Sequence, residues 1–112
     1  MKIKELTKKI VDFRDARDWA QFHTPKDVAL SLLIEASEYA QLLQFKTEAQ
    51  LAKFSSADKK NCGRELADVL YWALLAAHEN GVDLEKAFVE KMKENEKKYP
   101  SKKYRGSNRK YR

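Results

Sequence analysis

Residues that break helices are almost missing from this chain. Gly63, Gly81 and Gly106 are its only glycines, and Pro25 and Pro100 its only prolines, in 112 residues. An all-β fold needs a turn about every eight to twelve residues, and turns draw heavily on these two residue types. The fold class expected is therefore all-α. Hydrophobic residues make up 43% of the chain, enough for one core, and the length suits one domain. Cys62 is the only cysteine, which excludes a disulfide within one chain and a cysteine-based zinc site. The longest charge-free apolar stretch, Val69–Ala77, has nine residues, against roughly 20 for a membrane span. Met1–Leu6 mixes charges at helical spacing and lacks the apolar block of a signal peptide. A cytoplasmic location and no membrane partner are expected.

Four helical patterns succeed one another. In the first, Ile3, Leu6, Ile10, Phe13 and Ala20 recur near helical spacing, which predicts a helix ending around Phe22. Thr24-Pro25-Lys26-Asp27 starts the second: Thr24 caps, Pro25 takes the first helical position and Asp27 reaches back as in a capping box. That helix should run to about Phe45. Lys46–Asp58 reads as a connection holding a short helical turn over Glu48–Phe54. A third helix is expected from near Ala57 to Asn80, stopped by Gly81. Asp83 can cap the fourth, which continues to Tyr99 before Pro100. The pattern predicts a four-helix bundle over residues 1–100 and a basic, flexible tail over 101–112.

The net charge of +6 is concentrated at one end. Lys102, Lys103, Arg105, Arg109, Lys110 and Arg112 lie in the tail without an acid, while the remaining 17 basic residues equal all 17 acids. Such a tail can hold any polyphosphate. The neutral body offers no basic stripe and no recognition-helix pattern, which argues against nucleic acid as the partner.

Two pairs of carboxylates stand out against this background. From Val28 to Phe45 the only charges are Glu35 and Glu38; from Leu66 to Ala77 the only charge is Asp68, with Glu65 just upstream. A spacing of three puts each pair on one helix face. Val28, Leu32, Glu35, Tyr39 and Leu42 form one stripe, so Glu35 stands where a core leucine is expected. An ionised carboxylate buried without a partner is very costly, and four converging would repel one another unless a cation lay between them. Hard divalent ions such as Mg²⁺ take oxygen ligands of this kind. Salt bridges to Arg64 or to lysines across an interface are the ordinary alternative. One pair would favour it; two pairs, each inside an uncharged stretch, favour the metal. A di-iron bundle needs Glu-x-x-His on two helices, but His23 and His78 follow Ala20 and Leu75 at that spacing.

Glu35-x-x-Glu38 and Glu65-x-x-Asp68, separated by 26 residues, resemble the signature of the MazG-like all-α NTP pyrophosphatases, and within them the dCTP pyrophosphatase type. Similar segments are Arg17–His23, Gln44-Phe45-Lys46, Val82-Asp83-Leu84, Lys91-Met92 with Asn95, Tyr99-Pro100, and Arg109-Lys110-Tyr111. The resemblance implies hydrolysis of (deoxy)nucleoside triphosphates, dCTP or modified pyrimidine forms among them, to the monophosphate and pyrophosphate. This is a house-cleaning reaction of the nucleotide pool. It implies Mg²⁺, with Mn²⁺ as the alternative, on Glu35, Glu38, Glu65 and Asp68. Glu38 and Glu35 would be the catalytic carboxylates, and which of them acts as base is left open. By the same resemblance Trp19, His23, Phe45 and Trp72 lie near the base, Lys91 and Asn95 near phosphate or sugar, and Arg109, Lys110 and Tyr111 close over the triphosphate. The chain departs from the dCTP type at Ile10 (a histidine there), Phe45 (tryptophan), Trp72 (tyrosine) and Glu79 (arginine), all at or near nucleotide positions. Those changes leave the base open and the metal chemistry intact.

The third helix is apolar nearly all round, since Tyr71, Trp72, Leu74 and Leu75 cover most of its circumference. Such a helix must be covered on every side, which predicts a homo-oligomer, a dimer or, as the resemblance suggests, a tetramer. The competing functions are a non-catalytic oligomeric helical module and a small nucleic-acid-binding protein using the basic tail.

Overall fold

The structure is a computed structural model that describes residues 1–110. It is all-α: α1 spans Ile3–Ala16, α2 Pro25–Leu43, α3 Glu48–Ala52, α4 Ser56–Glu79, α5 Leu84–Lys98 and α6 Ser101–Tyr104, with a 3₁₀ turn at Ala20–Phe22. Among the described residues no helix is long and apolar enough to cross a membrane. Two compact units are formed, residues 1–81 and the segment from Val82 onward.

In the first unit α4 is the shared rod: α2 and α1 both pack against it. The core centres on Val28, Leu74 and Leu75, each at most 1% exposed. Helix starts are fixed by capping side chains, at Thr24 as the sequence leads one to expect. Thr24 Oγ1 accepts from the Asp27 N–H at 3.2 Å. The reciprocal bond expected from Asp27 is not formed; its carboxylate lies 3.4 Å from Lys26 Nζ instead. Complete capping boxes occur at α3, where Thr47 N–H donates to Gln50 Oε1 at 2.9 Å, and at α4, where Ser55 N–H donates to Asp58 Oδ2 at 2.9 Å.

The first helix stops earlier than its apolar spacing suggests. Arg17 and Trp19 N–H both turn back to the Arg14 carbonyl at 3.2 Å, and Asp18 takes a left-handed φ of 53°. Aspartate tolerates that region because its short side chain can hydrogen-bond locally. Here Gln21 Nε2 donates to both Asp18 O and Asp18 Oδ2 at 3.0 Å. The second helix likewise ends at Leu43, short of Phe45, whose φ of 65° is incompatible with continuing it. Gly81, at φ 64°, terminates α4 as expected.

Arg14 is buried, 6% exposed, and pairs with Glu79 at the far end of α4 and with Asp15 at 3.0 Å. Glu79, a departure noted in the sequence, therefore serves a buried arginine rather than standing free. The unit's outer faces remain apolar: Leu30, Leu33 and Ile34 on α2 and Leu66 and Leu70 on α4 are all exposed.

In the second unit Asp83 Oδ1 accepts from the Lys86 N–H at 3.1 Å and starts α5. The segment after Pro100, expected to be a featureless tail, instead begins with the helical turn α6. Lys103 and Tyr104 N–H donate to the Pro100 carbonyl at 3.0 and 3.1 Å, and the Tyr99 and Tyr104 rings meet edge to face at 4.9 Å. The sequence lacks an apolar period there, so the two tyrosines supply what packing the turn has.

Candidate metal centre and its aromatic cleft

Because α2 lies along α4, the two carboxylate-bearing faces meet. Glu35 and Glu38 on α2 and Glu65 on α4 each bring an oxygen within 4.8 Å of the others. Glu35, on the inward stripe of α2, is half-buried, as is Glu65. Oε2 of each is out of contact with water and has no hydrogen-bond partner. Orphaned carboxylate oxygens of this kind are rare in folded proteins and call for an explanation by a missing partner.

The electrostatics point the same way. Burial, a hydrogen bond with Glu38 and the charges of Glu38, Asp68 and Glu65 together raise Glu35 from 4.5 to about 7. Burial and the charges of Glu38 and Asp68 also raise Glu65, with Arg64 pulling weakly the other way. Arg64 thus acts on the cluster without satisfying Glu65 Oε2. A carboxylate can donate to another only when protonated, so the cluster without a cation retains a proton near neutrality. The donor set is oxygen only, which suits a hard divalent cation. Asp68 contributes its charge to both Glu35 and Glu65, yet the three glutamates are the carboxylates that converge most closely.

Asp68 faces a second feature, a cleft of about 410 Å³ between α1 and α4. Ile10, Phe13 and Trp19 form one wall and Tyr71 and Trp72 the other; Lys9 also lines it. The rings meet edge to face in sequence: Trp19 with Phe13 at 5.7 Å, Phe13 with Tyr71 at 6.3 Å, Tyr71 with Trp72 at 5.2 Å, and Trp72 with His23 at 5.4 Å. Such contacts hold flat faces at fixed angles. The Arg17 guanidinium lies 3.7 Å over the Phe13 ring and donates to the Phe13 carbonyl at 2.9 Å, which braces this ring from the solvent side. Burial and then the Arg14 charge lower His23, and its Nδ1 is buried without a partner. Burial raises Tyr71 against the opposing charges of Arg14 and Arg17.

The other residues singled out from the sequence lie on several elements. Phe45 is 94% exposed and lies outside the cleft. Lys91 pairs with Glu94 at 3.5 Å, and Asn95 is half-buried on α5. Arg109 and Lys110 line a hollow of about 610 Å³ with Lys103 and Tyr104. Tyr111 lies outside the described residues. Sequence reasoning missed Lys9, Phe13 and Tyr71 as cleft residues and Arg14 as a buried cation. Lys9 and Phe13 share a face at i, i+4, a signal that could have paired them.

An all-α scaffold whose α2 and α4 bring three glutamates to one point beside an aromatic cleft defines a helical protein with an acidic candidate metal site. The MazG-like family model matches residues 30–112, and the chain belongs to that family. It is 34% identical over 111 residues to dCTP pyrophosphatase 1 of Homo sapiens, and 33% identical to that of Mus musculus. Those alignments cover 97% of this chain but only 65% of each relative, so the chain spans just under two thirds of their length. Among solved structures, a pyrophosphatase from Archaeoglobus fulgidus superposes with a TM-score of 0.80 at 33% identity, over 87% of this chain and 91% of that one.

Proposed function

We propose that the protein is a divalent-metal-dependent nucleoside triphosphate pyrophosphohydrolase, which releases pyrophosphate and a nucleoside monophosphate. The observation that carries this is the meeting of three carboxylates with two orphaned oxygens, next to a cleft walled by aromatic faces. The names of the relatives add support; dCTP and modified pyrimidine deoxynucleotides are the first substrates to test.

Glu35, Glu38 and Glu65, joined by Asp68, would hold Mg²⁺, with Mn²⁺ as the alternative. Bound there, the ion would neutralise the carboxylates, draw in phosphate oxygens and favour ionisation of a water. Glu38 or Glu35 would orient a water toward the α-phosphorus and take its proton; as the new P–O bond forms, the bond from the α-phosphorus to the bridging oxygen breaks, and pyrophosphate leaves. Trp19 and Trp72 present faces on which any base can stack. His23 supplies a polar atom that the fold leaves unpaired. Lys91, Asn95, Arg109 and Lys110 complete the proposal as phosphate and sugar contacts, arginine being suited to paired contacts with phosphate oxygens. The exposed leucines of α2 and α4, together with Phe45, make a second copy of the chain the natural cover, as a dimer or tetramer. The role is cleansing of the cytoplasmic nucleotide pool.

The deciding experiment incubates the protein with Mg²⁺ and a panel of canonical and modified triphosphates and measures pyrophosphate. Release that is lost in both Glu38→Gln and Asp68→Asn is expected. Release of orthophosphate alone, or parental rates in both variants, refutes the proposal.

A further inference from the structure

Arg14 is the one buried charged side chain among the described residues, and neither it nor its partner Glu79 lines the aromatic cleft. A role in the cleft must therefore run through what the pair holds. Stability alone is a weak reason to bury an ion pair, since apolar residues of similar size often replace one at no cost. What such a pair can supply is one defined arrangement of the elements it joins.

Arg14 is tied at both its side chain and its main chain. Its Nη1 donates to the carboxylate of Glu79, the last residue of α4, while its Nε donates to Asp15 Oδ1 at 3.0 Å. The planar fork of the guanidinium fixes both directions at once. Its carbonyl accepts from the N–H groups of Arg17 and Trp19, both at 3.2 Å. Trp19 therefore hangs from the residue that is pinned to α4. The other wall, Tyr71 and Trp72, lies on α4 itself, about two helical turns before Glu79. A continuous chain of bonds thus runs from Trp19 through Arg14 and Glu79 to Trp72, and the Arg14 charge is felt at Tyr71 as well as at His23. The carboxylate cluster stands apart from it, because Glu35, Glu38 and Glu65 come from α2 and α4 and owe nothing to α1. Resting on the function proposed above, we propose that Arg14 and Glu79 are a positioning pair: by bonding the last turn of α1 to the end of α4 they fix the spacing of Trp19 from Trp72, and so set how tightly a base is held.

The two tryptophans of the chain both line the cleft, so their emission reports its state without any reaction. Two variants separate linkage from charge. Arg14→Met/Glu79→Met removes the bond and leaves no unpaired buried charge; Glu79→Gln keeps an acceptor oxygen where Arg14 needs one. Deoxycytidine and thymidine are titrated against each, with no metal present. Stacking on one ring is enough to change affinity about tenfold, so the nucleoside Kd of the double variant should rise by about that factor. Glu79→Gln should stay near the parent. In a Trp72→Phe background, where Trp19 emits alone, acrylamide should quench the double variant more strongly than the parent. With Mg²⁺ and triphosphate the loss should fall on KM, leaving kcat and the Mg²⁺-induced rise in Tm unchanged. Parental affinity and quenching in the double variant, an equal loss in Glu79→Gln, or a loss carried by kcat overturns the proposal. So does a double variant that fails to fold, which would make the pair a support of the whole unit, or a parent that binds neither nucleoside. Failure of the proposed function appears separately, as absence of pyrophosphate release from every triphosphate while nucleoside binding and acrylamide quenching still decide on the pair.

Discussion

Removing one negative charge from the carboxylate cluster should make the metal-free protein more stable. Glu35 is the sharpest site for this, since its pKa rises from 4.5 to about 7 through burial and three neighbouring carboxylates. Below pH 4.5 the group is protonated folded and unfolded, and contributes no penalty. Between 4.5 and 7 the unfolded chain releases a proton that the folded chain retains, so stability falls as pH rises; above 7 the loss is complete. At about 1.4 kcal/mol per pH unit the shift would amount to roughly 3.4 kcal/mol. Water reaches one side of this half-buried group and screens it, reducing the expected effect to about 1–2 kcal/mol. Glu35→Gln keeps the shape and removes the charge. In EDTA at pH 8 it should melt about 5–10 °C above the parent, given the entropy of unfolding of a chain this size. At pH 4.5 the gap should close. Millimolar Mg²⁺ should reverse the order, raising the parent through ligand linkage and leaving the variant behind. The assay is thermal unfolding followed by circular dichroism. A Glu35→Gln variant that melts at or below the parent in EDTA at pH 8 would show that the carboxylates do not oppose one another, and the cluster reasoning would fail.

Leu74→Ala, at a residue 1% exposed between packed helices, should cost about 2–5 kcal/mol in a urea titration; a loss below 1 kcal/mol would deny it a place in the core. Arg14→Met leaves Glu79 facing a thioether and should cost about 1–3 kcal/mol, with part of the loss recovered in Arg14→Met/Glu79→Gln. An additive double-variant cycle would show that the pair contributes nothing. Sedimentation at micromolar concentration should give a species larger than 13.1 kDa, and Leu33→Lys, on the exposed α2 face, should shift it toward the monomer. A fully active single species of 13.1 kDa contradicts that expectation.

Helix identity was legible in the sequence because capping side chains and apolar spacing agreed at Thr24 and Asp83. Helix ends were less so. Periodicity carries past Ala16 to Ala20, but backbone conformation at Asp18 decides the break, and no side-chain pattern announces a left-handed residue. Glu35, Glu38 and Glu65 were found because a charge in an apolar stripe violates the pattern around it. The cleft was harder to see. Phe13 and Tyr71 looked like ordinary core residues, and only the packing of α1 on α4 turns their faces toward one space. Phe45, which the resemblance sets near the base, stands exposed in the single chain at a positive φ, a backbone conformation that periodicity does not announce.

One helix carries both kinds of chemistry, and that makes α4 a ruler. Glu65 and Asp68 belong to the acidic end, Tyr71 and Trp72 to the aromatic end, and all four fall within eight consecutive positions. At 1.5 Å per residue, the separation along the axis is about 10 Å, fixed by backbone hydrogen bonds rather than by any flexible joint. Inserting a single residue between Asp68 and Tyr71 would swing one end by about 100° relative to the other. Evolution can hardly retune that gauge by small steps. What it can alter are the positions on α1 opposite, since exchanging Lys9 or Ile10 leaves that spacing intact. New ligand preferences of the cleft should therefore arise on the α1 wall while α4 keeps its register.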